Sequence, residues 1–190
     1  MRNLLRRSLL ASICVALAAS AVGAQERTNA FAASMAGFQE RVKNYISLRD
    51  KIAGTMPEVK ETNDPNKISA RERALGVAIA MERHTAKAGD VFGDLSPYLQ
   101  RIVDEDWNSR SAADRKALFE EIPPGLTLVV NQPYPTTIPL ITAPAKLLAR
   151  LPTLPEAVEY RLIERRLLLR DRDANIVVDV LAGVPGARSK

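Results

Sequence analysis

Few residues in this sequence could do acid–base or metal chemistry, and His84 is the clearest of them. It is the only histidine, so a Ser-His-Asp triad or a histidine-containing zinc site would have to use it. The sequence contains neither a G-x-S-x-G nor an H-E-x-x-H motif. The pattern favours a histidine that packs against a neighbouring helix or lies at the surface. The catalytic residues, if the protein has any, stay unknown.

The sharpest metal-like pattern lies near the C-terminal end of the chain. Four oxygen-bearing residues match positions one, three, five and nine of a calcium-binding loop: Asp171, Asp173, Asn175 and Asp179. The match then fails, because Ile176 stands where that loop needs glycine and Ala182 stands where it needs glutamate. We interpret the run as a tight turn, in which Asp and Asn bond their own backbone. We expect no metal and no cofactor; a calcium-stabilised structural module is the alternative.

Charged residues on apolar helix stripes form a third group. Arg49 falls in the apolar stripe of one predicted helix, and Glu82 falls in that of the next. An unpaired charge on a core-facing stripe is costly, so we predict that Arg49 pairs with a carboxylate of the second helix. A simple antiparallel hairpin would bring it level with Glu72, whereas a longer loop would bring it to Glu82. Such a pair would stabilise the fold without doing chemistry.

Two aromatic residues are the candidates for binding a partner. Tyr134 lies in the run Gln132-Pro-Tyr-Pro-Thr-Thr-Ile-Pro, whose extended, donor-poor backbone is typical of ligands for aromatic grooves. Trp107 directly follows an acidic run at the end of a predicted helix. The alternative interpretation of the proline-rich segment is a strap that covers the core.

The elements that position these residues follow an export signal over residues 1–24. A positive region precedes an uncharged apolar run at 9–21 and a small-residue cleavage site: Arg2, Arg6 and Arg7, then Val22 and Ala24. Cleavage would remove Cys14, the only cysteine, and three of the five net positive charges. We therefore predict a periplasmic or secreted protein without disulfides, thiol chemistry or a nucleic-acid partner. No integral membrane segment is expected after cleavage.

The first half of the exported chain is predicted to contain four helices. Apolar stripes and capping patterns place their starts at about residues 29, 69, 96 and 111. The second helix, expected over about 69–88, is apolar on two sides: Leu75 and Ile79 on one, and Ala70, Ala74, Val77 and Met81 on the other. A helix of that kind lies between neighbours.

The second half is predicted to be extended. A strand candidate at 126–130 and a proline-rich connection over about 123–155 precede three alternating runs at 158–164, 166–171 and 175–181. Short connections predict an antiparallel meander. The sequence thus predicts one α+β domain over 25–182 and a flexible tail at 183–190. About four helices would pack on one face of a small antiparallel sheet, made of the three-strand meander plus one further strand.

The C-terminal segment also carries a resemblance. The runs Glu159-Tyr-Arg, Leu167-Leu-Leu-Arg-Asp171 and Ala174-Asn-Ile-Val-Val-Asp179 resemble the ends of uncharacterised exported bacterial proteins. The resemblance is limited to this segment. It implies export and a bacterial source, and it assigns no role to any residue.

Composition and motifs together favour a binding protein over an enzyme. We expect a non-catalytic binding or interaction domain of the bacterial envelope, whose partner is a protein, a peptide or an envelope component. The alternative is a carboxylate-based hydrolase acting on envelope polymers. That alternative needs two acids facing each other at about 5–9.5 Å across a cleft.

Overall fold

The computed structural model describes residues 2–57, 63–120, 122, 126–136, 138, 143–163 and 165–181, with side chains from residue 27 onward except 118 and 119. The chain divides into two compact units, Met1–Ala36 and Gly37–Lys190. The tail predicted at 183–190 lies outside the described residues, and so do the side chains of the predicted export signal. Among the residues that are described, none of the helices has the length and apolar character needed to cross a bilayer.

The helical half of the chain contains four helices, as expected, but the first begins at Arg2 rather than near residue 29. They are α1 (Arg2–Thr55), α2 (Pro65–Glu82), α3 (Ser96–Ser109) and α4 (Ala112–Glu120), and a short 3-10 turn at Gly93–Leu95 precedes α3. A further one-turn helix, α5 (Ala145–Leu148), follows in the proline-rich region. The predicted apolar stripe of α3 is buried through Leu99, Ile102, Val103 and Trp107.

Helix α2 begins earlier than its Ser69 capping pattern indicates, and it ends at Glu82 rather than near Ala88. The Asp64 carboxylate accepts a hydrogen bond from Asn66 N at 3.0 Å, and Pro65 occupies the first helical position. An aspartate cap followed by proline is a strong helix start. At the other end Arg83 leaves the helical conformation.

The C-terminal half forms the predicted antiparallel meander. Strands β1 (Val158–Ile163), β2 (Arg166–Asp171) and β3 (Val177–Val180) pair in the order β1-β2-β3. The further strand expected at 126–130 is wrong. The chain instead meets the sheet a few residues later, where Pro133 forms a bridge to Ile176 and Asn131 N donates to the Val177 carbonyl at 2.8 Å. Proline lacks the N–H that a regular strand needs, so the pairing stays short.

The two faces of the sheet have different covers. Asp171 projects to the face on which α1 lies, where it meets Tyr45. The opposite face packs against the proline-rich connection in one apolar cluster: Ile163, Leu168, Val177 and Val180 of the sheet against Ile122, Tyr134 and Ile138. The connection therefore covers the sheet, and we call its described residues from 126 to 138 the strap.

A buried carboxylate fixes the loop that follows α2. Asp179 is fully buried on β3. It accepts hydrogen bonds from the backbone N atoms of Gly89, Val91 and Phe92 at 2.7–2.8 Å, and from Val180 N at 2.8 Å. Since a buried acid is tolerated only when its oxygens are hydrogen-bonded, Asp179 serves as an anchor between the sheet and the 89–92 loop.

Candidate functional site: a groove beside helix α2

The candidate site is a groove of about 560 Å³ between α2 on one side and the strap with the β2–β3 turn on the other. We call it the α2 groove. Its apolar lining comes from both sides: Gly76, Val77, Ala80 and Met81 of the helix, and Pro133, Ala174 and Ile176 opposite. Ligand pockets in proteins have this size and this predominance of apolar atoms.

Three residues with primary amide side chains line the groove, in addition to Glu72, Arg73 and His84. Asn131, Gln132 and Asn175 line it from the side of the strap and the turn. A primary amide offers two N–H donors and an acceptor oxygen, which suits it to bind the peptide groups of an extended chain. The helical wall from Glu72 to Met81 is about 14 Å long, which matches about four residues of extended peptide.

Asn131 is held in place by Arg83, the residue that ends α2. Arg83 Nη1 donates to Asn131 Oδ1 at 2.9 Å, and Asn131 Nδ2 donates back to the Arg83 carbonyl at 2.6 Å. Arg83 Nη2 donates to the Val178 carbonyl at 3.0 Å, and its guanidinium lies 5.0 Å from the ring centre of Tyr45. Burial lowers the pKa of Arg83. The two-way contact joins the end of the helix to the strap.

Asn175 is held by a second arginine. Arg170 Nε donates to Asn175 Oδ1 at 2.8 Å, and Arg170 Nη1 donates to Glu159 Oε1 at 2.6 Å. Glu159 Oε1 also accepts from Arg161 Nε at 2.8 Å. Because Arg170 occupies the amide oxygen of Asn175, the Nδ2 group of Asn175 is left as a donor, and no described residue accepts from it.

Both of these asparagines have an uncommon backbone conformation. Asn131 has φ 66° and Asn175 has φ 48°, and they are the non-glycine residues with positive φ within the described chain. Asparagine tolerates this region better than most residues, but the conformation still persists only where surrounding contacts enforce it. Both positions line the same groove, and each is locked by an arginine. The wall of the groove is therefore rigidly built.

The helical wall approaches the turn closely at Gly76. A Cβ added there would lie 2.8 Å from Ile176 Cγ2 and 2.9 Å from the Ala174 carbonyl oxygen. Only glycine allows this approach of α2 to the β2–β3 turn. The absence of a side chain at residue 76 thus sets the depth of the groove.

Two ionisable residues predicted to be of interest lie at the groove, but not together. Glu72 and His84 both line it, and they are separated by about three helical turns. His84 Nδ1 lies 3.1 Å from the Met81 carbonyl oxygen, and the imidazole is exposed. At that separation the two side chains do not form an acid–base pair.

The two aromatic residues predicted to contact a partner are core residues. Tyr134 is 2% exposed and Trp107 is 8% exposed, so the prediction of a contact surface at these side chains is wrong. Tyr134 packs beneath Arg170, whose guanidinium lies 5.5 Å from the ring centre. Burial raises the pKa of Tyr134. The prolines turn Tyr134 towards the sheet while its neighbours Gln132 and Pro133 face the groove.

Arg49 is paired, but the predicted partners on α2 are wrong. Its Nε donates to Asp171 Oδ2 at 2.9 Å and its Nη1 to Asp50 Oδ1 at 2.9 Å, and Nη2 binds Asp173. Neither Glu72 nor Glu82 takes part, and Glu82 is exposed. In a simple hairpin of α1 and α2, helix α2 would lie beside Arg49. The β2–β3 turn lies there instead, although it is distant from α1 in sequence.

The four residues of the calcium-like pattern do not converge on one point: Asp171 and Asp173 share Arg49, and the other two have separate partners. Asp171 binds Tyr45 and Arg49, Asp173 binds Arg49, Asn175 binds Arg170, and Asp179 binds the 89–92 loop. Asp171 Oδ1 also accepts from the backbone N of Asp173 and Ala174 at 3.0 and 2.8 Å. The run forms the predicted tight turn between β2 and β3. No group of three potential metal ligands occurs in the described part of the chain.

Comparison with protein-family models, with curated proteins and with solved structures found no match.

The groove was not apparent from the sequence as a site, although two of its parts were. The sequence predicts the second apolar side of α2, and it indicates the proline-rich segment as a candidate binding surface. Their juxtaposition depends on the bridge between Pro133 and Ile176, which joins segments far apart in sequence. No sequence pattern predicts the contacts of Asn131 and Asn175, because asparagine is common in turns for other reasons.

Proposed function

We propose that this chain is an exported, non-catalytic binding domain of the bacterial envelope, and that the α2 groove is its ligand-binding surface. The observation that supports this most is the combination of an apolar lining with two arginine-locked asparagines on one wall. An apolar groove with a few fixed polar groups is the usual form of a binding site. The partner would be a protein, a peptide or an envelope component.

The fully buried carboxylates already accept hydrogen bonds from other residues, which argues against the hydrolase alternative. Asp171 and Asp179 are fully buried and accept several hydrogen bonds each. Glu72 is the carboxylate that lines the α2 groove, and a glycosidase-type site needs a second acid facing it. We therefore infer binding rather than catalysis as the function.

Export is tested by locating and sequencing the natural protein. Cell fractionation should place the chain in the periplasm or the medium, and its first residue should be Gln25. A full-length chain in the cytoplasm would overturn the export part of the proposal. This result is independent of what the groove binds.

The groove is tested by photo-crosslinking in cells that export the full chain. A photoreactive residue at exposed Gln132, on the groove wall, should crosslink to an envelope molecule, whereas the same residue at exposed Lys43 on α1 should not. Ala80→Trp, which fills the groove, should abolish the Gln132 crosslink. Equal crosslinking at both positions, or full crosslinking in a correctly folded Ala80→Trp variant, would overturn the proposal.

A further inference from the structure

The outward side of α2 is apolar where a solvated helix is normally polar. Ala70, Ala74, Val77 and Met81 are spaced by four, three and four residues, which places them on one side of the helix. The opposite side is buried through Leu75 and Ile79. Val77 is 60% exposed and Met81 is 70% exposed. We call these four residues the α2 face.

The α2 face is self-complementary in position and in size. Its residues lie symmetrically about the midpoint between Leu75 and Gly76. In an antiparallel pair of α2 helices related by a twofold axis at that midpoint, Ala70 would lie opposite Met81 of the second copy, and Ala74 opposite Val77. Each layer then joins a small residue to a larger one, as interlocking helix packing requires.

Along one flank of the α2 face the charges are complementary in the same arrangement. Lys67 and Arg71 lie on one flank of the N-terminal half, and Glu82 lies on the same flank at the C-terminal end. Antiparallel pairing brings Glu82 of each copy level with Lys67 and Arg71 of the other. It also places the positive end of each helix dipole beside the negative end of the other. A parallel pair would set like charges side by side.

We propose that the chain forms a twofold dimer in which the α2 faces of two copies pack antiparallel. The inference rests on the proposed function, because the second helix would form an additional lip along the α2 groove. It names a second copy of this chain as the partner that covers Val77 and Met81. A twofold interface uses the same surface on both subunits, so one complementary patch is sufficient.

Sedimentation of the exported, purified chain tests the dimer. The natural chain should sediment with twice the mass of one copy. Met81→Lys should weaken association by about tenfold or more, because it places a charge opposite Ala70 in the apolar contact. Ile68→Lys is the matched control: Ile68 is 51% exposed but lies away from the α2 face, so its dimer should be unchanged. A natural chain that is monomeric at its highest soluble concentration would overturn the inference, and so would equal effects of the two variants.

A charge exchange tests the antiparallel orientation. Glu82→Lys alone should weaken the dimer, since it places like charges together, and Lys67→Glu alone should do the same. An equimolar mixture of the two variants should associate more tightly than either variant alone, because one contact of the mixed dimer keeps Glu82 beside Lys67 and the other joins the two substituted side chains of opposite charge. A mixture that associates no better than either variant alone would contradict the antiparallel arrangement.

The groove and the dimer can fail separately. Ala74 belongs to the α2 face but does not line the α2 groove. If Ala74→Lys abolishes the dimer while Gln132 still crosslinks to an envelope molecule, both proposals stand. A Gln132 crosslink to an envelope molecule by a chain that is always monomeric supports the groove and overturns the dimer. A dimer that breaks as expected but crosslinks to nothing except its own second copy supports the dimer and overturns the envelope ligand.

Discussion

Arg49 Nε on α1 and Asp171 Oδ2 on β2 lie 2.9 Å apart, although 122 residues separate them in sequence. The same carboxylate oxygen accepts the Tyr45 hydroxyl at 2.7 Å. Burial acts to lower the pKa of Arg49, but the charges of Asp171 and Asp173 and the hydrogen bonds to Asp50 and Asp171 together outweigh it and leave that pKa above its ordinary value. One carboxylate thus joins the first long helix to the β2–β3 turn, which in turn forms part of the α2 groove.

The first prediction concerns this ion pair. Arg49→Met should lower the free energy of unfolding by about 3 kcal/mol, because Asp171 would stay buried without its cation. Urea unfolding followed by circular dichroism measures the change. Asp50→Asn is the control, since Asp50 is an exposed partner of the same guanidinium and should cost about 0.5 kcal/mol or less. Equal losses for the two variants would show that the buried pair contributes no more than the surface one.

The second prediction compares two buried tyrosines. The Tyr45 hydroxyl donates to Asp171, whereas the Tyr134 hydroxyl is buried and bonds to no described residue. Tyr45→Phe should therefore cost about 1–2 kcal/mol, and Tyr134→Phe should be neutral or stabilising by up to about 1 kcal/mol. Measuring the free energy of unfolding of both variants tests this difference. A loss at Tyr134 as large as that at Tyr45 would mean that its hydroxyl has a partner in solution.

Much of the fold was accessible from the sequence because its signals are local. The apolar stripe of α3 and the alternation in β1 and β3 depend on residues within a few positions of one another. The cap of α2 is local too, but two local patterns competed there, and the Asp64–Pro65 start was stronger than the one at Ser69. The strand expected at 126–130 shows the limit, since a run of apolar residues does not say which strand it will pair with.

The site depends on contacts that no local pattern contains. The sequence predicts a partner for Arg49 on α2, because a helical wheel shows which side of the helix a charge lies on and not which distant turn packs there. Tyr134 was expected to face solvent because it stands between prolines, yet it became a core residue once the strap had folded over the sheet. The second apolar side of α2 and the proline-rich segment are the two sequence features that indicate the candidate groove.

The third prediction compares two glycines. Gly76→Ala should destabilise the protein by about 1–3 kcal/mol, because the new Cβ would meet the Ala174 carbonyl and Ile176. Gly54→Ala should be neutral or stabilising by about 0.5–1 kcal/mol, since residue 54 lies near the end of α1 with no atom within 4 Å of its Cβ position. Thermal and urea unfolding of both variants test this. A Gly76→Ala protein as stable as the natural one would show that α2 and the turn can separate freely.

The fourth prediction concerns pH and Glu159. Burial acts to raise the pKa of Glu159, but hydrogen bonds from Arg161 and Arg170 outweigh it and leave that pKa below its ordinary value. The folded state therefore holds the proton less readily than the unfolded state does. The stabilisation from this group is complete above the unfolded pKa of about 4.3, and it is lost as the pH falls through the folded value.

Glu159→Gln should consequently lower the free energy of unfolding by about 1–2 kcal/mol at neutral pH, and the difference from the natural protein should shrink as the pH falls below about 4.3. Urea unfolding at a series of pH values measures that difference. Glu156→Gln, at an exposed position three residues earlier, controls for the loss of a negative charge and should change little at any pH. A Glu159→Gln difference that stays constant with falling pH would show that the carboxylate does not titrate from its contacts with Arg161 and Arg170. Since Arg170 also holds Asn175, loss of the Glu159 charge should additionally reduce Gln132 crosslinking in the α2 groove.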